Sequence, residues 1–409
     1  MRRFVRVNLS IIAFVALIAT ESALFGQSAP ADSGPSTRPA KASQAAPPSA
    51  APQRVLNVTT LQDYGPNERP IPGSIRYVLE RARGPAIIRF TVGGGIHLKN
   101  KLAISTPYLA IDGSTAPAPG ITFYQHQVEV ADTQNVVLRH LRFRCGDGFV
   151  GDAARRAVHG HYDGSKGPYN GGWRSLLVIA YGKRPTHDVL IENCSIQNST
   201  DDNGSVWDQC RRITFRRCLF SGGYENFTKG LLVGSSPGKP NVDQPDYVTI
   251  DQCLFAFMKG RAPDISGGTV QFVNNVVCGS RQGGGIAQSW GNFVNNYFLT
   301  LPNHPWGDKA DRLLSGDPTG RDAALYFAGN VQDGVPNDRH IMGIRNKAQT
   351  DFPDRFFRPT PWPGLPDKLL TADEALRTVL ERAGCIEPVR DEHDQEVIRL
   401  VRDRVGLKD

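Results

Sequence analysis

Two neighbouring aspartates, Asp201 and Asp202, form an acidic pair in the stretch 199–207. Adjacent carboxylates repel each other, so a loop that keeps both commonly has a cation or a cluster of hydrogen-bond donors to offset them. Calcium is one such cation, because it takes carboxylate oxygens as ligands. Asn203 and Gly204 follow directly, and they equally suit an ordinary Asp-Asn-Gly turn with solvated acids. The pair by itself leaves both interpretations open.

The seven cysteines do not indicate a metal-thiolate site, because the sequence has no C-x-x-C pair and no histidine at zinc spacing from a cysteine. Their odd number leaves at least one thiol without a disulfide partner in the chain. Cys194, Cys218 and Cys253 each close a short apolar stretch. A free cysteine behaves as a small buried hydrophobe, so we expect these three to lie in the interior.

The charge balance favours an acidic partner. The formal net charge of the 409 residues is +7, and a basic surface raises the encounter rate with a polyanion. The sequence contains no run of five or more lysines and arginines, which argues against nucleic acid. We therefore expect an acidic polysaccharide as the partner, no nucleic acid, and a monomeric protein.

The N-terminal region is typical of an exported protein. Arg2, Arg3 and Arg6 precede an apolar run at 9–18 that is too short to span a bilayer comfortably. We interpret 1–26 as a signal peptide, with a retained N-terminal membrane anchor as the alternative. Residues 27–53 are rich in Pro, Ala and Ser and predict a disordered linker. The expected location is secreted or periplasmic, without stable membrane insertion once the signal is removed.

A repeated block predicts an all-β solenoid. The blocks are 189–194 (VLIENC), 213–218 (ITFRRC), 248–253 (VTIDQC), 271–276 (QFVNNV) and 292–297 (NFVNNY). The last positions of successive blocks are separated by 24, 35, 23 and 21 residues. One short apolar strand per period of this length indicates turns that bury their faces only against their neighbours. We therefore expect at least seven coils in a domain at 54–301. Equivalent residues, including the paired asparagines, should stack from coil to coil.

Both ends of the predicted solenoid carry helical patterns. Residues 73–82 read as a serine-capped amphipathic helix that would plug the open N-terminal end. Residues 302–409 begin as an irregular segment and then contain two further helical patterns, at 371–381 and 394–405. We expect these C-terminal helices to pack back along the outside of the solenoid.

Several dispersed motifs resemble the pectate lyase family of polysaccharide lyases. They occur in family order and cover about 54–297 and 371–405. The motifs are GSIR at 73–76, GPAIIRF at 84–90, IDGSTAP at 111–117, LRHLRF at 138–143, the stretch 194–207, KG at 229–230, RAP at 261–263, and VRD at 389–391 with Asp394. The resemblance implies a single-stranded right-handed parallel β-helix. It also implies that the protein is an enzyme, a lyase of pectate or a related polyuronate.

The implied reaction is a Ca²⁺-assisted β-elimination, in which a base removes the C5 proton of a galacturonosyl unit and the 4-linked oxygen leaves. The substrate carboxylate must be neutralised so that enolate-like charge can develop, a task that suits calcium. The resemblance implies Arg261 as the base, Lys229 as a substrate contact, and Asp201, Asp202 and Glu192 as calcium ligands. Without the resemblance, Arg261 could equally form a surface ion pair, and Lys229 could be a solvated lysine.

Two positions depart from the family pattern. Ser266 stands where members commonly carry a second arginine, and the expected calcium-binding acid near 174–176 is missing. A second hypothesis is therefore a catalytically impaired, lyase-like β-helix that binds acidic glycans. A third is a β-helix glycosidase, which needs two carboxylates roughly 5–10 Å apart. Asp201 and Asp264 are the obvious pair for that reaction.

Overall fold

A computed structural model describes most of the chain between Arg54 and Val405. The described residues are 54–159, 173–223, 229–234, 244–258, 260–279, 284–286, 289–301, 314–316, 324–338, 342–344, 347–351 and 353–405. The signal peptide at 1–26 and the linker at 27–53, both predicted from the sequence, lie outside these residues. None of the helices in the described ranges is long and apolar enough to cross a membrane.

The architecture is a parallel β-helix built from three sheets, and the described ranges contain ten strands in each. The chain visits the first, second and third sheet in turn, and each strand pairs with its equivalent in the next coil. In the first sheet, the strands are Arg54–Val58, Ala86–Phe90, Leu109–Asp112, Gln134–Arg139, Thr186–Glu192, Cys210–Arg216, Asp246–Asp251, Gly268–Val273, Ser289–Val294 and Ala324–Ala328.

The second sheet follows a tight bend after the first. Its strands are Gly94–His97, Ile121–Tyr124, Leu141–Arg144, Ser195–Gln197, Leu219–Ser221, Leu254–Ala256, Val276–Cys278, Tyr297–Leu299, Val331–Gln332 and Val335–Pro336. All neighbours are parallel except the last two strands, which form an antiparallel pair. This sheet faces the C-terminal helices.

The third sheet completes each coil. Its strands are Leu102–Ile104, Val128–Ala131, Leu176–Ile179, Asp202–Trp207, Lys229–Gly234, Asp264–Ile265, Gly284–Ile286, Leu314–Gly316, Met342–Ile344 and Lys347–Asp351. The last strand is again antiparallel to its neighbour. The predicted all-β solenoid is therefore confirmed, with more than the seven coils expected.

The three sheets continue beyond residue 301, where the sequence places the end of the β-helix. Leu314–Gly316, Ala324–Ala328 and Val331–Gln332 add parallel strands to the third, first and second sheets in that order. These late strands are only two to five residues long. Asn330 continues the asparagine column from Asn296 within the spacing of the earlier blocks, so the predicted end at 301 is too early.

A column of side chains at the bend between the first and second sheets ties the coils together. Cys194, Cys218 and Cys253 are fully buried and stacked, as the sequence predicts, and all three are free thiols. The column then changes to asparagine: the Asn275 side chain accepts from the Cys253 backbone N–H at 2.9 Å, and Asn296 accepts likewise from Asn275. The amide groups therefore satisfy backbone donors from coil to coil.

A helix covers the N-terminal end of the β-helix, and a second helix follows later in the chain. Helix α1 (Ile75–Arg81) begins after Ser74, whose side chain accepts a hydrogen bond from the Tyr77 N–H, and its buried Ile75 joins the core of the first coils. Helix α2 (Gly151–His159) lies between the strands Leu141–Arg144 and Leu176–Ile179 in the chain.

Two helices near the C-terminus pack on the second sheet. They are α3 (Ala372–Arg382) and α4 (Glu392–Asp403), and their apolar faces join an apolar cluster that includes Leu219, Leu254 and Val276. Short 3₁₀ turns lie at Gly113–Thr115 and Asp354–Phe356. The helices therefore pack where the sequence analysis expects them.

Ion pairs reinforce this C-terminal packing. The Arg144 guanidinium contacts Asp391 at 2.7 Å and Asp394 at 3.1 Å, and Asp394 also accepts from the Ser195 hydroxyl. Because Asp394 is fully buried, these donors offset the cost of removing its charge from water. Residues about 250 positions apart are thus joined at the edge of the second sheet.

Replacing Asn296 with leucine should destabilise the β-helix. Its side chain donates to the Phe272 carbonyl and the Asn330 side chain at 2.9 Å each, and it accepts from Asn275. Leucine would leave these buried groups unsatisfied, at about 1–3 kcal/mol for each group. We expect urea denaturation to show a loss of at least about 3 kcal/mol. The exposed Asn67→Leu is the control, and equal stability of the two variants would contradict the role of the column.

Candidate functional site

The acidic pair, a lysine and an arginine meet on the third sheet. Asp202 opens the strand Asp202–Trp207, and its partner in the next coil is Lys229, which opens Lys229–Gly234. Lys229 in turn pairs with Gly260, the residue before Arg261. Because equivalent positions of a parallel sheet stack, three successive coils deliver these charged side chains to one place.

Asp201 is held between two cations. Its carboxylate contacts the Lys229 ammonium at 2.7 Å and the Arg174 guanidinium at 3.1 Å. Burial by itself would raise the pKa of Asp201, but the charges of Arg174 and Lys229 outweigh it and hold the pKa below its usual value. Asp201 is therefore an ionised carboxylate with both oxygens engaged.

Asp202 is fully buried, and its carboxylate is also fully engaged. Oδ1 contacts the Arg261 guanidinium at 2.5 Å, while Oδ2 accepts from the Ser205 hydroxyl at 3.2 Å and lies 3.7 Å from Arg174 Nε. A buried carboxylate without such partners would be strongly destabilising. The two arginines and the serine are therefore what allows an acid at this position.

Arg261 lies between two carboxylates in this structure. Asp202 is its close partner, and Asp264 lies 3.7 Å from its Nε. Burial works to lower the pKa of Arg261, but the charges of Asp202 and Asp264 together raise it above its ordinary value. The resting guanidinium is therefore positively charged, which is the form that binds anions rather than the form that accepts a proton.

Arg174 is a member of the site that the sequence analysis did not assign. It lies one coil before the acidic pair, at the place where the expected calcium-binding acid is missing. Its Nε donates to the Ser205 hydroxyl at 3.1 Å, and its guanidinium lies 4.8 Å from the centre of the Trp207 ring. The absence of a carboxylate near 174–176 was the signal that could have pointed to it.

The donor set does not fit a calcium ion. Calcium takes six to eight oxygen ligands at about 2.3–2.6 Å. Here the carboxylate oxygens of Asp201 and Asp202 already contact Arg174, Lys229, Arg261 or the Ser205 hydroxyl. In the part of the chain that the structure describes, no group of three or more His, Cys, Asp or Glu side chains is arranged to hold a metal.

Glu192, the third calcium ligand implied by the resemblance, lies elsewhere. It ends the first-sheet strand Thr186–Glu192 and lies 3.7 Å from Arg139 on the preceding coil. The chain must pass the bend at Cys194 and the whole second-sheet strand Ser195–Gln197 before it reaches Asp201. The structure therefore brings Asp201, Asp202, Lys229 and Arg261 together but leaves Glu192 on another sheet.

Helix α2 docks beside the site through its last residue. The His159 ring stacks on Trp173 with 5.4 Å between centroids, and its Nδ1 lies 3.0 Å from the hydroxyl of Thr200, the neighbour of Asp201. Its Nε2 faces the Gln125 carbonyl, so Nε2 carries the proton and Nδ1 accepts from Thr200. Burial lowers the pKa of His159 to about 4, which keeps the ring neutral.

Comparison with known proteins gives no matching family model but finds several similar chains. The chain is 27% identical over 256 residues to a probable pectate lyase C of Aspergillus fumigatus, a match that covers 61% of this chain and 50% of the relative. The chain thus spans about half the length of this curated relative. The resemblance to pectate lyases inferred from the motifs is confirmed.

Two solved structures with the same fold are pectate lyases of lower identity. A thermostable pectate lyase has a TM-score of 0.56 at 14% identity and covers 82% of this chain and 93% of its own. A pectate lyase from Bacillus sp. N165, solved with trigalacturonate, has a TM-score of 0.54 at 15% identity, with 82% and 94% covered. These likenesses confirm the parallel β-helix.

Removing the Asp202 carboxylate should destabilise the protein. Asp202→Ala leaves Arg261 and Arg174 without the buried acid that they contact, and breaking such a pair costs about 3–5 kcal/mol. Because Arg261 is partly exposed and can be solvated, we expect the lower end, about 3 kcal/mol, by urea denaturation. The exposed Arg399–Asp403 ion pair of α4 supplies the control, Asp403→Ala. A loss no greater than in this control would contradict the pairing.

Acid should weaken the fold through His159. Its folded pKa of about 4 lies below the ordinary 6.5, so the neutral ring contributes stability above pH 6.5 that is lost as the pH falls toward 4. From about pH 7 to about pH 5 we expect wild type to lose about 2 kcal/mol more than His159→Gln, which cannot titrate. Urea denaturation at both pH values measures the difference. Parallel losses in the two proteins would contradict it.

Proposed function

We propose that this protein is an exported polysaccharide lyase that cleaves pectate or a related polyuronate by β-elimination. The observation that carries the proposal is the convergence of Arg174, Lys229 and Arg261 on one face of the third sheet. Three cationic side chains within reach of one another suit a ligand that carries a carboxylate on every sugar unit. The similarity to pectate lyases supplies the reaction class, including the crystallised relative with trigalacturonate.

The resting ion pairs define how such a substrate would bind. Lys229 and Arg261 each hold a protein carboxylate, so a uronate carboxylate would compete with Asp201 for the ammonium and with Asp202 for the guanidinium. Exchange of one carboxylate partner for another costs less than bringing a lone anion into the site, because the cations are already in place. Lys229 is therefore proposed as the substrate contact.

Arg261 remains the proposed base, and the charges around it determine when it can lose its proton. Asp202 and Asp264 keep its pKa high at rest, whereas burial acts in the opposite direction. When substrate binding separates Arg261 from Asp202, burial and the charges of Arg174 and Lys229 oppose the guanidinium form. Arg261 must then release its own proton to solvent before it can accept the C5 proton of the bound uronate. The C5–H electron pair then forms the C4–C5 double bond as the C4–O bond breaks, and the leaving oxygen takes a proton from solvent.

A second candidate is an acidic-glycan binding protein without lyase activity. The close Arg261–Asp202 pair favours it, because this pair keeps the proposed base charged. Ser266, which stands where the family commonly has a second arginine, donates to Asp264 at 3.2 Å and adds no cation to the site. Binding of the glycan would need only the cationic face.

The glycosidase hypothesis has the weakest support. Inverting and retaining hydrolysis both need a carboxylic acid that keeps its proton, which requires a raised pKa. Of the two acids that the sequence suggests, Asp201 has a lowered pKa because of Arg174 and Lys229. Asp264 lies next to the Arg261 guanidinium.

The decisive experiment is incubation of the purified protein with polygalacturonate and other polyuronates, with ultraviolet absorbance of the unsaturated product as the readout. We expect absorbance to rise, and Arg261→Ala or Lys229→Ala to lower kcat/KM by about 10²–10⁴-fold. The exposed Lys183→Ala is the control and should match wild type. Circular dichroism melting checks that each variant is folded.

The alternatives give different results in the same assay. Glycan binding without absorbance on any polyuronate, with or without added calcium, would support the binding protein. New reducing ends without unsaturation would indicate hydrolysis. Full activity of Arg261→Ala would remove that residue from the proposed mechanism while leaving the lyase reaction in place.

A further inference from the structure

We propose that the guanidinium of Arg174 is the resident cation of this site, which neutralises the substrate carboxylate and takes the place of a divalent metal ion. This inference rests on the proposed lyase function for its catalytic part. Its metal-binding part can be tested on the protein without any substrate. It assigns a role to a residue that the sequence motifs do not single out.

The register of the third sheet sets the position of Arg174. Leu176 pairs with Gly204, so residue 174 stands opposite Asp202 in the next coil. From there its side chain reaches both acids, at 3.1 Å from Asp201 and 3.7 Å from Asp202. A residue one coil earlier thus supplies the positive charge that the adjacent carboxylates require.

Three contacts besides the carboxylates hold Arg174 in place. Its backbone N–H donates to the Gln127 side chain at 3.2 Å, its Nε donates to Ser205 at 3.1 Å, and its guanidinium lies over the Trp207 ring. Its side chain is only 18% exposed. A cation fixed in this way needs little reorganisation when charge develops on a bound substrate.

The shape of the guanidinium suits the task of binding a carboxylate. It is planar, always charged, and presents five N–H donors in a fixed fork that matches carboxylate geometry. Nε faces Ser205 and Nη2 faces Asp201, and among the described residues Nη1 has no partner, so Nη1 is the nitrogen that we assign to a uronate carboxylate. Lysine would provide the charge without the fork.

The charge balance of the site argues against an added metal ion. Arg174, Lys229 and Arg261 already face Asp201, Asp202 and Asp264, so the carboxylate charges are matched by protein cations. A divalent ion could take the Asp201 and Asp202 oxygens only if Arg174 and Lys229 left them. It would also meet repulsion from three positive side chains at short range.

Calcium titration of the full-length protein tests the metal-binding part. We expect no saturable heat in calorimetry and no calcium-dependent shift of the thermal midpoint. Arg174→Asp removes the cation and adds a third carboxylate beside Asp201 and Asp202, so this variant should gain saturable calcium binding and a higher midpoint with calcium. Arg212→Asp, which places a new acid beside Asp188 on the first sheet, is the matched control and should gain neither.

Kinetics on polygalacturonate test the catalytic part. A chelator should leave the wild-type rate unchanged, whereas Arg174→Ala should lower kcat by about 10²-fold, as does removal of one electrostatic stabiliser in other enzymes. Arg174→Lys, which retains the charge but not the fork, should recover part of the loss. Because the loss falls on kcat more than on KM, it differs from a general folding defect.

Two results would overturn the inference. One is saturable calcium binding by wild type that Asp201→Asn abolishes, and the other is an unchanged kcat in Arg174→Ala. Absence of lyase activity in every condition would instead reject the proposed function. The calorimetric comparison of wild type with Arg174→Asp would still decide whether Arg174 occupies the place of the metal.

Discussion

Each coil of this β-helix can bury its apolar face only against the coils before and after it. The backbone ladders of the three sheets therefore fix every residue opposite its equivalent in the next coil. A side chain that suits one coil must also suit its neighbours, which explains the buried column that runs from Cys194 through Cys253 to Asn296. The same constraint leaves open ends, and helix α1 together with the C-terminal segment covers the apolar surface that would otherwise face water.

On the third sheet the same register places charged side chains of successive coils next to one another. Asp202 is fully buried, and it is tolerable there only because Arg174 reaches it from the preceding coil and Arg261 from two coils further on. Stability and recognition thus draw on the same ion pairs. The cations that contact the buried acid are also those that the proposed uronate substrate would contact. Binding of a uronate would replace one carboxylate partner of these cations with another, and the cations are already in place before it binds.

The sequence was sufficient to predict the solenoid, the buried cysteine column and the helices at both ends. The first two appear as a block that repeats along the chain, and the helices appear as amphipathic patterns with an N-terminal capping residue. It was less informative about the site. Lys229 and Arg261 could be selected by motif, but their partners depend on the register of strands separated by long insertions. Arg174 belongs to no sequence motif, and only the missing acid at 174–176 distinguishes its position. Glu192 was grouped with Asp201 by position in the chain, although a bend and a whole strand separate their side chains.

The segment that closes the second sheet has a consequence for the order in which the protein can be assembled. Asp391 and Asp394 satisfy Arg144, whose own coil is synthesised about 250 residues earlier. While the chain is being made, Arg144 is therefore unmatched, and the second-sheet strands that contain Leu219, Leu254 and Val276 carry an uncovered apolar surface. Coils can stack as they are synthesised, but the outer surface of the second sheet is fully covered only when helix α4 packs on it. The newly made chain is thus exposed to aggregation and proteolysis until helix α4 is in place.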